Sequence, residues 1–475
     1  MPSVCPVVTA IVRRRRAQIT FALAVLVVGA SVGCSLDSPG VTEQLIQSDT
    51  APATAANSII VSSSADLVAA LAPENAGRRI HMRAGVYSVT QPLTVPDRAT
   101  LEGEGEMLLD DAGLPTGFTP ATRTVISMTA NTAGDVLTLG NGARIRKLAI
   151  EDLPGRVGNV VAANSRDAAD NLRATIEDVE ITNPNTHAIV PAGPSGCGVT
   201  ALTLNPNLGS DPPPHTNATV SVTMTRSLIH SPATGTGCGV FAFNFASSSS
   251  ISVTLTHNVV GGGIIANGGV SRPDEVHDSK TDITSQRNVY HDDSPNPCTS
   301  KHVGWNLTGG SGTPVNFVIG ETARNTLSIH SLDDRIEGFT TGVFATATRR
   351  FFALPTAGPS TDNRLDIELI GATVSTPSCG GASFVIDFRM AGALVSNASL
   401  VPGDGNILRA VFRNVTGSGT RANVYADVVG PAGPVSPEFR GTGNRLEFDG
   451  SVEAFGLTNT AIDPAPGEQF FTGSK

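Results

Sequence analysis

The sequence feature that most constrains this chain is a short unit of alternating apolar residues that recurs along its centre. Residues 222–229, 253–260 and 283–290 share one pattern, in which Val or Ile begins an alternation with polar residues. The copies are spaced by about 30 residues, and looser copies precede them at 143–150 and 175–181. A unit this short cannot bury its apolar face alone and needs the next copy stacked against it. The pattern therefore predicts a solenoid of β-strands.

A second repeat follows in the C-terminal half, where Asn-x-Leu begins at Asn325, Asn363, Asn406 and Asn444, at intervals of 38, 43 and 38 residues. Asn side chains stacked at one turn can satisfy backbone groups from coil to coil, as amide ladders do in cross-β stacks. Val, Ile, Thr and Leu in short bursts between glycines are typical of all-β proteins. We therefore predict one β-solenoid domain over residues 58–475, whose last segment, from about 452, covers the final coil.

Residues 58–105 form the start of the predicted domain. Ser58-Ile-Ile-Val61 predicts a strand, and a short helix follows, with Leu67, Val68 and Leu71 on one face. We expect Ser64 to cap this helix and Pro73 to end it. Short alternating strands come next, at Ile80 and Met82, at Leu93 and Val95, and in Thr100-Leu-Glu-Gly-Glu-Gly105.

This series resembles the entry into right-handed parallel β-helix proteins of the pectate-lyase-like superfamily. In that family a small helix caps the open end before the first coil. The resemblance implies an all-β fold, a single-stranded right-handed parallel β-helix with a short N-terminal capping helix. It is clearest over residues 58–150.

The first residues predict export. Arg13 to Arg16 precede an apolar run from Ile19 to Val32, about 14 residues, whereas a membrane-spanning helix needs about 20. Ser31-Val-Gly-Cys34 resembles a bacterial lipobox, with Ser31 where Leu is usual, which implies lipidation of Cys34. The alternative is ordinary signal-peptidase cleavage near Gly33. We therefore assign residues 1–34 to a signal peptide and residues 35–57, which are poor in large apolar groups, to a flexible tether.

These features predict a cell-surface or outer-membrane lipoprotein, the alternative being a periplasmic or secreted protein. Residues 1–34 contain four Arg and no acids, so the remaining net charge is 28 − 42 = −14. A chain this acidic is a poor partner for nucleic acid. We expect a monomer that contacts the membrane only through its lipid.

The body of the chain carries four cysteines, Cys197, Cys238, Cys298 and Cys379, and an even number in an exported protein indicates disulfides. Four cysteines allow three pairings. Because Cys197 and Cys238 stand in matching Gly-Cys-Gly-Val contexts, we predict Cys197–Cys238 and Cys298–Cys379. The absence of CxxC argues against a zinc site built on thiolates.

The densest polar cluster runs from Asp274 to Asp293. The resemblance implies that a lyase of this fold would use Lys or Arg as base and carboxylates to hold Ca²⁺, for which oxygen ligands are suited. We assign the base to Lys280 and the calcium ligands to Asp278 and Asp282. The residues predicted to contact a sugar are Tyr290, His291, His302 and Trp305. The alternative is a solvated loop with structural ion pairs.

Two Asp pairs, Asp292-Asp293 and Asp333-Asp334, are the candidates for a glycosidase, in which paired carboxylates act as acid and base. Arg335 would bind a substrate carboxylate, the alternative being a structural pair with an acid. Tandem Asp at turns is also common structural chemistry. The Gly-His-Gly, Arg-Ile-Lys and Arg-x-Pro-x-x-Arg motifs of β-helix enzymes are absent, so the resemblance carries no family's catalytic set.

Two functions follow. The first is an exported β-helix that binds a polysaccharide or other cell-surface polymer, or has a structural role. The alternative is a polysaccharide lyase or glycoside hydrolase that acts on a glycan, which could be acidic. An enzyme requires Lys280, Asp292 and Asp333 to converge on one concave face, whereas scattered positions favour binding or structure.

Overall fold

The structure is a computed structural model. It describes residues 58–475 except 166–170, 191–192, 204–216, 232–237, 272–274, 294–297, 299–301, 313–319, 351–359, 380–383, 394–403, 419–421, 431–432, 435–443, 450–459, 464–467 and 472–475. The predicted signal peptide, Cys34 and the tether lie outside these residues. In the described part of the chain, no helix combines the length and hydropathy needed to span a membrane.

The described chain forms a right-handed parallel β-helix, as predicted, whose coils each pass through three faces in the order face 1, face 2, face 3. Face 1 consists of Ser58–Val61, Arg79–Met82, Thr100–Glu102, the first parts of Ala143–Glu151 and Asn171–Thr182, and then Thr219–Thr225, Ser250–Thr256, Lys280–Gln286, Thr326–Leu332, Arg364–Ile370, Ile407–Arg413, Arg445–Asp449 and Glu468–Phe471.

Face 2 consists of Gly85–Val89, Thr124–Met128, the ends of Ala143–Glu151 and Asn171–Thr182, and then Leu228–His230, Val259–Gly261, Val289–His291, Arg335–Glu337, Thr373–Ser375 and Thr416–Ser418. Face 3 consists of Leu93–Val95, Leu137–Leu139, Val161–Ser165, Val199–Thr203, Val240–Asn244, Ile264–Ser271, Val303–Gly312, Thr341–Arg350, Phe384–Ala393, Ala422–Gly430 and Thr460–Asp463.

Smaller elements decorate the coils. Two antiparallel hairpins pair Met107–Leu109 with Pro115–Phe118 and Ala188–Val190 with Gly193–Ser195, and Gly433–Pro434 pairs antiparallel with Ala422–Gly430. A short parallel ladder joins Val276–His277, Thr322–Ala323 and Ser360–Thr361. Two 3₁₀ turns span Pro73–Asn75 and Pro120–Thr122.

The helix predicted near the N-terminus spans Ser64–Ala70. Its N-cap is Ser63, whose side chain accepts a hydrogen bond from the Asp66 N–H, so the expected cap at Ser64 is shifted by one residue. Leu67 and Leu71 are buried as expected, but Val68 is 56 % exposed. A helix this short presents only a narrow buried face, and Val68 lies outside it.

The core is one continuous column of inward-facing Val, Ile, Leu and Ala from successive coils. The predicted repeats supply it in register: Val222 lies beside Val253, and Val253 beside Ile283. In each inward row, an aliphatic side chain therefore packs on the aliphatic side chain of the next coil. This packing buries apolar surface that a single coil would expose.

The predicted Asn ladder is present at the turn that enters face 1. The side-chain oxygens of Asn363, Asn406 and Asn444 each accept a hydrogen bond from the backbone N–H of the Asn one coil earlier, at 3.1, 3.0 and 2.8 Å. Asn325 extends the ladder back to the N–H of Ser279, at 3.0 Å. The described strands beyond residue 452, Thr460–Asp463 and Glu468–Phe471, add further rungs to faces 3 and 1.

Candidate functional site

The predicted base Lys280 and the predicted calcium ligands Asp278 and Asp282 lie at the start of one face 1 strand. Lys280 is exposed and its Nζ lies 2.7 Å from an Asp282 carboxylate oxygen. Asp278 stands at the preceding turn, with φ of 57°, and receives two hydrogen bonds from Arg324, at 2.7 and 2.8 Å. These hydrogen bonds lower the pKa of Asp278. Each carboxylate therefore already has a cationic partner, an arrangement that a Ca²⁺ ion would have to displace.

The second Asp pair lies at the turn from face 1 to face 2, where its two members point in opposite directions. Asp333 is exposed, with φ of 55°, and lies 3.8 Å from Arg287. Asp334 is fully buried and accepts hydrogen bonds from Ser331 Oγ at 2.7 Å and from the Asn288 backbone at 2.7 Å. Burial raises the pKa of Asp334. Arg335 lies on the outer surface of face 2, paired with Glu337 at 3.1 Å.

Asp334 is the end of a second side-chain ladder. Ser227 donates its N–H to Asn258 Oδ1 at 2.9 Å, Asn258 to Asn288 Oδ1 at 2.8 Å, and Asn288 to Asp334 Oδ1. The Asp334 carboxylate thus takes the place of a ladder Asn and has a structural role. Because it is buried, it cannot contact a polymer bound on the outer surface.

Tyr290 and Trp305, predicted to contact a sugar, both lie inside the coil with no exposed surface. Their rings meet edge to face, with centroids 5.3 Å apart, and the Tyr290 hydroxyl lies 2.6 Å from Ser285 Oγ. Burial raises the pKa of Tyr290 well above its ordinary value. Neither ring is therefore accessible to a ligand on the outside of the coil.

The first Asp pair and the two predicted histidines do come together, at the turn from face 2 to face 3. His291 Nδ1 lies 2.8 Å from Asp293, and His302 Nδ1 lies 2.7 Å from Asp292. The His302–Asp292 pair is almost fully buried, and Asp293 also accepts a hydrogen bond from the Ser231 N–H at 3.1 Å. The two His–Asp contacts lie within one coil, and the Ser231 hydrogen bond ties Asp293 to a coil two strands earlier on face 2. All four side chains are therefore engaged within the protein.

The predicted catalytic set is therefore divided around the coil. Lys280 lies on face 1, Asp333 at the turn into face 2, and Asp292 at the turn into face 3. The convergence required of an enzyme that uses these three residues is not observed.

Both predicted disulfides are present. Cys197 pairs with Cys238 across neighbouring coils, with Cα atoms 4.6 Å apart, and Cys298 pairs with Cys379, with Cα atoms 5.3 Å apart. Cys197 and Cys238 are buried, whereas Cys298 is exposed. The matching sequence contexts of the first pair reflect matching positions just before two adjacent face 3 strands.

A different group of side chains converges on the outer surface of face 1. Three consecutive strands bound a depression of about 210 Å³, which we call the outer depression. Its lining residues are His330, Asp366, Ile367, Glu368, Arg409, Val411 and Arg413. The strand register explains the grouping, because His330 lies beside Glu368 in one outward row and Asp366 beside Arg409 in the next.

The outer depression contains an acid–base pair and nearby cations. His330 Nδ1 lies 2.9 Å from a Glu368 carboxylate oxygen, which leaves Nε2 of the exposed ring without a partner in the described part of the chain. Asp366 accepts a hydrogen bond from Arg364 Nε at 2.5 Å, and this bond raises the pKa of Arg364. The other oxygen of Asp366 is buried and has no hydrogen-bond partner among the described residues.

On the same face, two successive earlier strands present hydroxyl groups only. Every outward position of Thr219–Thr225 and Ser250–Thr256 carries Ser or Thr, and each side chain is at least partly exposed. We call these two strands the hydroxyl platform. Thr223 lies beside Thr254, and Thr254 beside Thr284 on the next strand.

Sequence reasoning missed the outer depression, although the Asn-x-Leu repeat contains the information needed to find it. Counting five residues from Asn325 and Asn363 gives His330 and Glu368, and counting three from Asn363 and Asn406 gives Asp366 and Arg409. Aligning the coils on their ladder Asn would have placed these side chains together.

No family model and no curated protein matches the chain. Among solved structures, the A-module of mannuronan C-5 epimerase AlgE6 from Azotobacter vinelandii aligns over 87 % of this chain and 95 % of its own, with 12 % identity and a TM-score of 0.38. Endo-xylogalacturonan hydrolase from Aspergillus tubingensis aligns over 88 % and 99 %, with 11 % identity and a TM-score of 0.32.

Tailspike protein 3 of bacteriophage CBA120 aligns over 86 % of this chain and 58 % of its own, with 13 % identity and a TM-score of 0.31. At identities and TM-scores this low, the similarities assign neither an activity nor a residue role to this chain.

Proposed function

We propose that this protein binds a polysaccharide along the outer surface of face 1, with the outer depression as the main contact. The observation that supports this most directly is the convergence of His330, Glu368, Asp366 and Arg409 from three successive coils in one open depression. In many proteins the binding residues lie on loops that a rigid scaffold positions. Here the polar groups lie on the strands of the scaffold itself, which hold their positions more precisely than loops do.

The geometry of face 1 suits an extended polymer. Neighbouring strands of a sheet lie about 4.8 Å apart, so each outward row repeats a side chain at that interval along the helix axis. A chain laid along the axis would meet the hydroxyl platform and then the outer depression. The platform offers hydroxyls that both donate and accept hydrogen bonds, which matches the hydroxyl groups of sugars.

The charges of the outer depression favour hydrogen bonding over attraction to a polyanion. On the last coils of face 1, Arg364 pairs with Asp366, Arg413 with Asp449, and both Arg409 and Arg445 with Glu447. Glu368, which pairs with His330, is the fourth acid beside these four Arg. Because the two signs balance, the described part of these coils presents no net positive surface on face 1 to attract an acidic glycan. We therefore expect a neutral or weakly charged polysaccharide, with binding that changes little between about 50 mM and about 500 mM salt.

The test is retention of the protein on a panel of immobilised neutral and acidic polysaccharides. Arg409→Ala is expected to weaken binding about tenfold, since a hydrogen bond to a charged group contributes about 1.5 kcal/mol or more. Arg335→Ala is the matched control, because Arg335 is also an exposed outward Arg paired with a Glu, but on face 2. Equal loss in both variants, or no retention of the unmodified protein on any polymer, would overturn the proposal.

A second candidate function, cleavage of the bound glycan, is favoured by the His330–Glu368 pair. A carboxylate on Nδ1 orients a ring so that Nε2 can transfer a proton, the usual arrangement for a histidine acid or base. New reducing ends would indicate a hydrolase, and unsaturated uronide ends a lyase. His330→Gln should then abolish product formation while retaining binding. His230→Gln, at a half-exposed His paired with the mostly buried Glu180 on face 2, should leave product formation unchanged.

The location of the protein is part of the same proposal. We propose that Cys34 is lipidated and that residues 35–57 tether the β-helix to the outer membrane or cell surface. Incorporation of a labelled fatty acid, and partition into detergent, should both be lost in Cys34→Ser. Labelling that persists in Cys34→Ser, or a soluble unlabelled protein with Cys34 intact, would contradict the lipid anchor.

A further inference from the structure

A second, chemically distinct site lies on the outside of face 3. The hairpin formed by Ala188–Val190 and Gly193–Ser195 carries His187 to the buried Cys197–Cys238 pair. Gly196, with φ of 76°, makes the approach close, since a Cβ there would lie 2.1 Å from the Thr186 carbonyl oxygen. Only glycine therefore fits at position 196, where the backbone next to Cys197 passes close to the backbone next to His187.

The side chains of His187, Cys197 and Cys238 lie close enough together to bind one metal ion. His187 Nδ1 lies 3.4 Å from Cys197 Sγ, and the ligand atoms of His187, Cys197 and Cys238 all lie within 4.8 Å of each other. Among the described residues, no other group of three His, Cys, Asp or Glu side chains meets this criterion. Its surroundings are apolar, with Leu202, Phe241, Phe243 and Ile265 in the same buried cluster.

We propose that these three side chains bind a thiophilic divalent cation of the Zn²⁺ class when the Cys197–Cys238 bond is reduced. A dithiol reductant would supply two electrons and two protons, which cleave the S–S bond and leave two thiols, while the reductant becomes a disulfide. Cation binding then releases the two thiol protons and gives two thiolates and one imidazole as ligands.

Charge explains why a divalent ion fits this site. Two thiolates and one M²⁺ ion sum to zero, and a neutral complex avoids the cost of leaving net charge in an apolar cluster. His187 Nδ1 lies 3.2 Å from the Ser195 carbonyl oxygen, to which it donates in the neutral ring. For Nδ1 to bind the ion, this proton has to move to Nε2, so the hydrogen bond to Ser195 is lost on binding.

The same two sulfur atoms serve both states, so the disulfide and the cation exclude each other. The other disulfide, Cys298–Cys379, belongs to no group of three such ligands in the described part of the chain and has an exposed member. It therefore provides a control pair within the same molecule.

The experiment is a titration with Co²⁺, whose thiolate charge-transfer and d–d absorption report tetrahedral sulfur ligation. The protein carries C5S/C34S/C298S/C379S so that Cys197 and Cys238 are its only cysteines, and it is reduced anaerobically. We expect one Co²⁺ per chain, displaced by Zn²⁺, and no such spectrum in the oxidised protein. His187→Gln is expected to weaken Co²⁺ binding at least about tenfold, since one of three ligands is lost.

Two further measurements keep the outcome decisive. The converse variant, C197S/C238S with Cys298 and Cys379 retained, should give no tetrahedral thiolate spectrum after reduction. In the reduced wild-type chain, Zn²⁺ at about a hundred times its Kd should slow alkylation of Cys197 and Cys238 about a hundredfold, with Cys298 and Cys379 unaffected. No Co²⁺ spectrum in the reduced protein, or an equal spectrum in C197S/C238S, would overturn the proposal.

Discussion

At the scale of single residues, Asp334 shows how one buried carboxylate can be structural in a protein where neighbouring acids are exposed. It occupies the position in its ladder that Asn288 occupies one coil earlier and Asn258 two coils earlier. An Asn side chain accepts the same N–H hydrogen bond without placing a charge in the core. An ionised carboxylate at this position therefore lowers the free energy of unfolding relative to Asn.

Because burial raises the pKa of Asp334 above its ordinary value of 3.8, the fold favours the protonated form. The stability that this preference contributes is present below pH 3.8 and is lost as the pH rises through the pKa of the folded state. Asp334→Asn is therefore expected to raise the free energy of unfolding at neutral pH by roughly 1 kcal/mol, with a smaller gain in acid. Urea denaturation between about pH 4 and about pH 7 measures this difference.

Asp333→Asn is the control for that experiment. The side chain of Asp333 is exposed, and Asn tolerates its left-handed backbone, so this variant is expected to stay close to the wild-type curve. If Asp334→Asn destabilised the protein at every pH, the carboxylate would be contributing more than a ladder acceptor.

At the scale of elements, the Asn ladder at the entry to face 1 fixes the register of the C-terminal coils. Asn363 is fully buried, accepts from the Asn325 N–H at 3.1 Å and donates to the Thr322 carbonyl oxygen at 3.1 Å. Asn363→Ala leaves both backbone groups buried without a partner, and we expect it to destabilise the fold by about 2–4 kcal/mol.

The matched control is Asn171→Ala, because Asn171 is an exposed residue on the outer surface of face 1. Thermal unfolding followed by circular dichroism should separate the two variants. A loss in Asn363→Ala no larger than that in Asn171→Ala would mean that water satisfies the turn, and that the ladder does not set the register.

The elements also show which features could be predicted from the sequence. The Asn ladder, the stacked Val222, Val253 and Ile283 rows, and the Cys197–Cys238 disulfide depend on residues that repeat in equivalent positions, so their equivalence is visible in one dimension. The Cys298–Cys379 disulfide is then the pair that remains. The outer depression depends on unlike residues brought side by side by coils of unequal length. His330 and Glu368 are 38 residues apart, but Asp366 and Arg409 are 43 apart, so no single period relates them.

Burial was the other quantity that the sequence left open. Tyr290 and Trp305 belong to a polar stretch, and sugar-binding surfaces favour aromatic rings, yet alternation along Val289–His291 and Val303–Gly312 turns both rings inward. A shift of one residue in the strand register would have placed them outside.

At the scale of the whole molecule, the two disulfides differ in access and should be reduced in order. Cys298 is exposed, whereas Cys197 and Cys238 are both fully buried. Mild dithiol treatment should therefore free Cys298 and Cys379 first, as mass spectrometry after alkylation would show. Loss of this disulfide, whose cysteines are 81 residues apart, should lower the free energy of unfolding by about 4.5 kcal/mol. Simultaneous release of all four thiols would mean that the coils open together.

The last prediction concerns face 1 as one continuous binding surface. Five successive strand pairings separate Thr219–Thr225 from Ile407–Arg413, a distance of about 24 Å along the axis. Oligosaccharides shorter than this reach either the hydroxyl platform or the outer depression, and longer ones reach both. Since the second contact is then intramolecular, affinity should rise with chain length up to about this span and level off beyond it.

Removing hydroxyls from the platform tests this directly. Thr223→Val with Thr254→Val keeps the side-chain shape and should reduce the affinity for long oligosaccharides several-fold, without changing the affinity for short ones bound at the outer depression. Thr373→Val with Thr416→Val makes the same change to a neighbouring pair on face 2 and should have no effect. Isothermal titration with oligosaccharides of increasing length measures all three proteins. Affinity independent of length would confine binding to the outer depression, because a polymer that lies along face 1 must contact both regions.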